Sequence, residues 1–147
     1  MRKHSIVFAL LLLTVAAAAC VKRVEESPIA TGIGPNLALE QFLTAANAQD
    51  LPKMASLFGT SKNGSVTTQW PKDEVEKRMF IFANVLRHED YAIEGEGLVP
   101  GRLNEAKVLN VALTQKEKKI VVPFTLVRFN DTWLVEHFDM EKILGAR

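Results

Sequence analysis

Few side chains in this chain of 147 residues carry the chemistry of a catalyst or a metal site, and their spacing limits what they can do. The single cysteine, Cys20, excludes an intramolecular disulfide and any cysteine-cluster metal site. Histidines stand at positions 4, 88 and 137. His88 and His137 are far apart in sequence, with no His-x-x-x-His spacing and no neighbouring carboxylate pair, so no metal is expected. His137 is the candidate general base, because imidazole titrates near neutral pH. Tyr91, Arg128 and Trp133 are the side chains expected to line a pocket with it. His88, in Arg87-His88-Glu89-Asp90, reads as a cationic end to a helix. The run from Gly95 to Gly101 lacks phosphate-loop spacing, and no serine sits in a Gly-x-Ser-x-Gly elbow. No cofactor is expected. With 18 Lys plus Arg against 17 Asp plus Glu, and no basic block, nucleic acid is not an expected partner.

The elements that must position these groups begin after an N-terminal run of a different kind. Arg2 and Lys3 precede Ile6–Ala19, apolar except for Thr14. A spanning helix needs about 20 apolar residues, so this shorter run reads as the core of a secretory signal. Residues 1–19 are therefore expected to be a signal peptide and 20–35 a linker rich in proline, glycine and mixed charge. Residues 36–147 are expected to form one domain. Without the first 19 residues, Arg2 and Lys3 among them, 128 residues remain with 16 basic and 17 acidic side chains, a net −1.

Within the domain, helical periodicity comes first. Leu39, Phe42, Leu43 and Ala46 follow i, i+3, i+4, i+7 spacing behind Gly34-Pro35. Asp50 caps a short second helix with Met54, Leu57 and Phe58, and Gly59–Gln69 reads as a loop. Pro71 opens a third helix striped by Val75, Met79, Phe82 and Leu86. Phe80, Ile81 and Val85 widen the stripe, so cover on more than one side is expected.

From Tyr91 the period becomes two. Strands are expected over 91–99, 106–114, 119–129 and 132–138, with Asp139 capping a last helix. A two-residue turn at Asn130-Asp131 sets Arg128 opposite Trp133, Leu126 opposite Val135 and Phe124 opposite His137. Gln115 to Lys118 closes the preceding hairpin, with Leu113 opposite Ile120. One face then collects Leu109, Val111, Leu113, Ile120, Val122, Phe124, Leu126, Trp133 and Val135 as core, and His137 falls on it. The other face carries Glu136 and leaves Val121, Val127, Leu134 and Phe138 apolar and exposed, the expected seat of a homodimer. The alternative cover is an arm at Ile29 to Ile33. Arg128 beside Trp133 is expected to form a cation–π pair.

Two resemblances extend this reading. Ala17-Ala18-Ala19-Cys20 resembles the lipobox of bacterial lipoproteins, with Ala17 where that family prefers leucine. It implies lipidation of Cys20, attachment to a membrane through the lipid anchor, and a cell-envelope location facing the periplasm or exterior. Val21 rather than aspartate after the cysteine leans toward the outer membrane. The helix order and the closing run Phe-x-Leu-x-Arg-x-Asn-Asp-x-Trp-x-Val (Phe124 to Val135) resemble the nuclear transport factor 2-like superfamily over about Leu37 to Leu144. That resemblance implies an α+β fold, with N-terminal helices packed in a cone on a curved, mainly antiparallel sheet. It also implies either a non-catalytic module binding a protein or small apolar ligand, or an isomerase-, dehydratase- or hydrolase-like enzyme working in the cone.

Overall fold

The computed structural model describes residues 34–146, so Cys20, the signal peptide and the arm at Ile29 to Ile33 lie outside the described residues. The architecture is α+β: helices α1 (Pro35–Ala48), α2 (Leu51–Ser56) and α3 (Lys72–Leu86) precede a four-stranded antiparallel sheet. A short helix α4 (Met140–Gly145) closes it.

Helix α1 begins where expected. Gly34 is extended at φ −63°, Pro35 supplies the pre-set φ of the first turn, and Leu39, Phe42 and Leu43 are wholly buried. Asp50 caps α2, its Oδ1 accepting the Lys53 amide at 3.1 Å. In α3, Val75, Met79, Ala83, Val85 and Leu86 are buried and Phe82 half-buried. The expectation that α3 is covered on several sides does not hold: Phe80 and Ile81 are 53% and 52% exposed. Helical spacing puts Lys77, Phe80, Ile81 and Asn84 on one stripe, opposite the face that buries Val75, Met79 and Leu86.

The segment 59–69 is more ordered than a loop. It holds a small hairpin of β1 (Gly59–Thr60) and β2 (Gly64–Ser65), then a 3₁₀ turn at Val66–Thr68 that buries Val66. This hairpin extends the sheet edge through a parallel bridge between Phe58 and Val135.

The main sheet runs in order β3 (Asp90–Leu98), β4 (Ala106–Gln115), β5 (Lys118–Phe129), β6 (Thr132–Phe138). The pairs Leu113 with Ile120, Leu109 with Phe124, Arg128 with Trp133 and Leu126 with Val135 all form. Beyond Leu126 the expected register breaks. Thr125 pairs with His137 and Phe124 with Phe138, so Glu136 is the extra residue of a β-bulge. The bulge keeps Glu136 and His137 out of the core and turns Phe138 inward. His137 is accordingly exposed, whereas Phe138 is 4% exposed and packs in the core. There its ring stacks on Phe124 at 5.4 Å and meets the Phe82 edge at 5.1 Å.

The same slip alters the outer face. Phe138 is not on it. Val127 and Leu134, expected to be exposed, form a second small cluster with Ala106, covered by Val99 and Phe129. The β3–β4 connection folds over them. The Arg128 amide donates to the Glu105 carbonyl at 2.7 Å, and Arg102 reaches Glu136 (Nη1 to Oε2, 2.8 Å) and Ser61 (3.0 Å). The hydrogen bond to Glu136 holds the Arg102 pKa above the ordinary guanidinium value, against partial desolvation. Of the four residues named for an apolar dimer surface, Val121 alone is exposed, at 36%. The rest of that surface is filled from within the chain.

Candidate functional site

The four side chains expected to share a pocket do not converge. Tyr91 pairs with Leu113, which pairs with Ile120, so it lies at one end of the sheet. Arg128 and Trp133 pair eight residues further along β5, roughly 27 Å away at about 3.4 Å per residue. Trp133 is half-buried against the core. The Arg128 guanidinium turns to the hairpin tip, its Nε donating to the Asn130 carbonyl at 3.1 Å and its Nη2 lying 3.6 Å from Asp131. The cation–π contact found among the described residues is instead Arg78 over Trp70, at 4.6 Å. His137 stands exposed at the rim of a notch of about 460 Å³ walled by Phe58, Phe82, Phe138 and Met140, with Asp139 and Glu141 beside it. Asp139 is the expected cap, accepting the Lys142 amide at 3.0 Å.

Tyr91 is unsuited to act as a base. Burial above all, then the Glu40 and Asp90 carboxylates, raises its pKa, so the phenol stays protonated well into alkaline solution. Among the described residues no group of three or more His, Cys, Asp and Glu side chains is placed to hold a metal. Between the helices and the sheet, Phe42, Phe124, Leu39, Leu43, Met54 and Met79 pack at 0% exposure.

A larger concavity, about 610 Å³, opens at the end of α3, between the β4–β5 hairpin and the last turn of α4. Its wall combines Arg87, His88 and Glu89 from α3 and the turn after it, Gln115, Lys116, Lys118 and Ile120 from the hairpin, and Ala146. Asn47, at the end of α1, fixes the turn: its Oδ1 accepts the His88 amide and its Nδ2 donates to the His88 carbonyl, both at 3.0 Å. His88 Nδ1 lies 2.7 Å from the Leu86 carbonyl. A carbonyl only accepts, so Nδ1 carries the proton and Nε2 is left for another partner. The ring stands edge-on to Tyr91 at 5.4 Å. Replacing Asn47 by alanine removes both backbone hydrogen bonds and is expected to cost about 1–2 kcal/mol in denaturant unfolding, with no change in the unfolding slope.

Two features of the hairpin were not foreseen. Gln115 is 8% exposed; its Nε2 donates to the Val85 carbonyl at 2.8 Å, while its Oε1 is buried without a partner. Lys116 and Glu117 form the two-residue turn at φ 48° and 66°. Such a turn needs left-handed backbone at both positions, where Asn and Gly are favoured and Lys and Glu are not. That substitution pattern, a tight hairpin tip without glycine or asparagine, is a sequence signal of local strain. The cleft itself has no such signal, because it joins residues about thirty positions apart.

No protein-family model matches the chain, and no curated protein matches it. Among solved structures the chain is similar to an NTF2-like protein of unknown function from Cytophaga hutchinsonii, at 12% identity and a TM-score of 0.41, over 76% of this chain and 96% of that one.

Proposed function

We propose that the chain is a lipid-anchored, extracytoplasmic binding module of the nuclear transport factor 2-like type, which holds a partner or small ligand at its surface and performs no reaction of its own. The observation that carries this reading is the filled interior. Where a catalytic cone would open, the largest side chains of α1, α2, α3 and the sheet meet at 0% exposure. The groups able to move protons are dispersed over the surface, and the one tyrosine is held in its protonated form. Recognition therefore falls to the surface concavities, foremost the polar cleft at the end of α3. The anchor in this reading is Cys20, at the end of the apolar run from Ile6 to Ala19; among the described residues no helix is long and apolar enough to cross a membrane.

Cys20→Ser tests the anchor. Wild type is expected in the membrane fraction with incorporated labelled fatty acid, since several acyl chains on one residue hold a protein stably where one chain is marginal. The variant is expected in the soluble fraction or as an unprocessed precursor, without label. Equal labelling and equal partition of the two would overturn the assignment. Mass spectrometry of the detergent-extracted chain tests the binding half, with a molecule retained at fixed stoichiometry as the expected result.

A further inference from the structure

We propose that the notch between α3, the end of β6 and α4 binds a small organic cation that carries a quaternary ammonium group. This names a ligand class for the binding reading above and rests on it. Two independent features of the notch attract that one kind of ion. The first is its wall. Phe58 and Phe82 line the notch and are half-buried, so part of each ring stays open to it, and Met140 adds its polarisable thioether. The two rings lie 5.2 Å apart at 56° to each other and so form an aromatic corner. Other rings hold them in place: Phe42 stacks on Phe58 at 6.1 Å, and Phe138 meets Phe82 edge to face at 5.1 Å. Aromatic rings attract cations through their quadrupole, the more so where the cation gives up its water.

The second feature is charge. Asp139 and Glu141 line the notch, and among the described residues no lysine or arginine does. Neither carboxylate makes an ion pair among those residues, with His137 on the rim or with any other group. Asp139 Oδ1 accepts the Lys142 amide at 3.0 Å, which leaves Oδ2 for a ligand. Other ligand classes use one feature and forgo the other. An inorganic cation holds its hydration shell and gains little from the rings. A neutral apolar molecule gains from the rings and nothing from the carboxylates, and an anion is repelled. A quaternary ammonium ion spreads its charge over methyl groups and has no N–H to be left unpaired. Its methyl groups can pack on Phe58, Phe82 and Met140 while its charge faces Asp139 and Glu141. The volume of about 460 Å³ is that of a small-ligand site.

The test is a titration of the ¹⁵N-labelled full chain in micelles of a non-ionic detergent. The probes are choline, its neutral isostere with a tert-butyl group in place of trimethylammonium, phosphocholine, and sodium chloride at matched ionic strength. Choline is expected to shift the amides of Phe58, Phe82, His137, Phe138, Met140 and Glu141 to saturation. The neutral isostere should bind about tenfold more weakly. Phosphocholine, which stands for the headgroup of a lipid, should also bind more weakly, because its phosphate meets the two carboxylates. Glu141→Gln and Asp139→Asn should each weaken choline about threefold, the second with its cap kept, since asparagine caps as aspartate does. Phe82→Leu should weaken it by about tenfold and bring choline and the isostere closer together. No saturable shift at these residues overturns the proposal. So does an isostere or phosphocholine that binds as tightly as choline, or the same shifts with sodium chloride. The comparison of choline with its isostere needs no variant, so it decides the matter even where Phe82→Leu fails to fold. If choline fails while the extracted chain retains some other ligand, this assignment falls and the wider binding reading stands.

Discussion

Phe138→Ala is expected to lower the stability of the domain by about 3–5 kcal/mol, and His137→Ala to change it by no more than about 0.5 kcal/mol. The contrast follows from the bulge. Phe138 is 4% exposed and joins Phe82, Phe124 and Phe58 in a continuous aromatic chain, with centroids 5.1–5.4 Å apart. Its removal leaves a cavity bordered by α3, β5 and α4, elements that cannot all close on it at once. His137 is exposed on the rim of the neighbouring notch, and its side chain makes no hydrogen bond or ion pair among the described residues. Strict alternation from Asn130-Asp131 would reverse both values, putting the histidine inside and the phenylalanine in water. Denaturant midpoints of the two variants decide between the registers. A silent Phe138→Ala with a costly His137→Ala would mean that β5 and β6 pair without a bulge.

This one-residue slip shows where the sequence is legible and where it is not. The strands and the two hairpin turns can be read because an even loop and a period of two constrain each other, and every pair expected from Arg128 back to Leu126 forms. The alternation then predicts each later side chain from the one before, so an inserted residue inverts all that follow. Two adjacent polar residues, Glu136 and His137, between the inward Val135 and Phe138 were the available sign of it. Placement of His137 on the core face and exposure of Phe138 on the outer face fail together, from this single cause. Burial of Val127 and Leu134 has another cause. The cover comes from the β3–β4 connection, whose Arg102 to Glu136 contact joins residues of unrelated periodicity. The α3 cleft is illegible for the same reason, since Gln115 and Val85 are brought together only by tertiary packing. Apolar content alone also misleads on α3, where Phe80 and Ile81 extend the stripe in sequence yet face away from the core.

Gly59→Ala is expected to cost about 2–4 kcal/mol, although a single methyl group is added and no core side chain is touched. A Cβ at Gly59 would lie 2.1 Å from the Gly64 carbonyl oxygen and 2.8 Å from the Ser65 Cα. Both are backbone atoms, so no rotamer change relieves the clash and the two strands must separate. Nor can Gly64 move freely. It holds φ +75°, and its own Cα faces the Phe129 ring so closely that a Cβ there would come within 2.7 Å. The hairpin is tied on every side: Ser65 Oγ donates to the Ala55 carbonyl at 2.7 Å, the Val66 amide to Phe58 at 2.9 Å, and the Val135 amide to Leu57 at 2.8 Å. Opening it therefore loosens α2 from β6 and uncovers Val66. Amide exchange of Val66 and Val135 should accelerate before the domain unfolds as a whole, which distinguishes local opening from general weakening. Gly145→Ala is the matched control, because a Cβ there meets nothing within 4 Å and alanine favours the helix. Wild-type exchange at Val66 and Val135 in Gly59→Ala would show that β1 and β2 are not packed this closely. The fold would then hold its edge by the Phe58 to Val135 bridge alone.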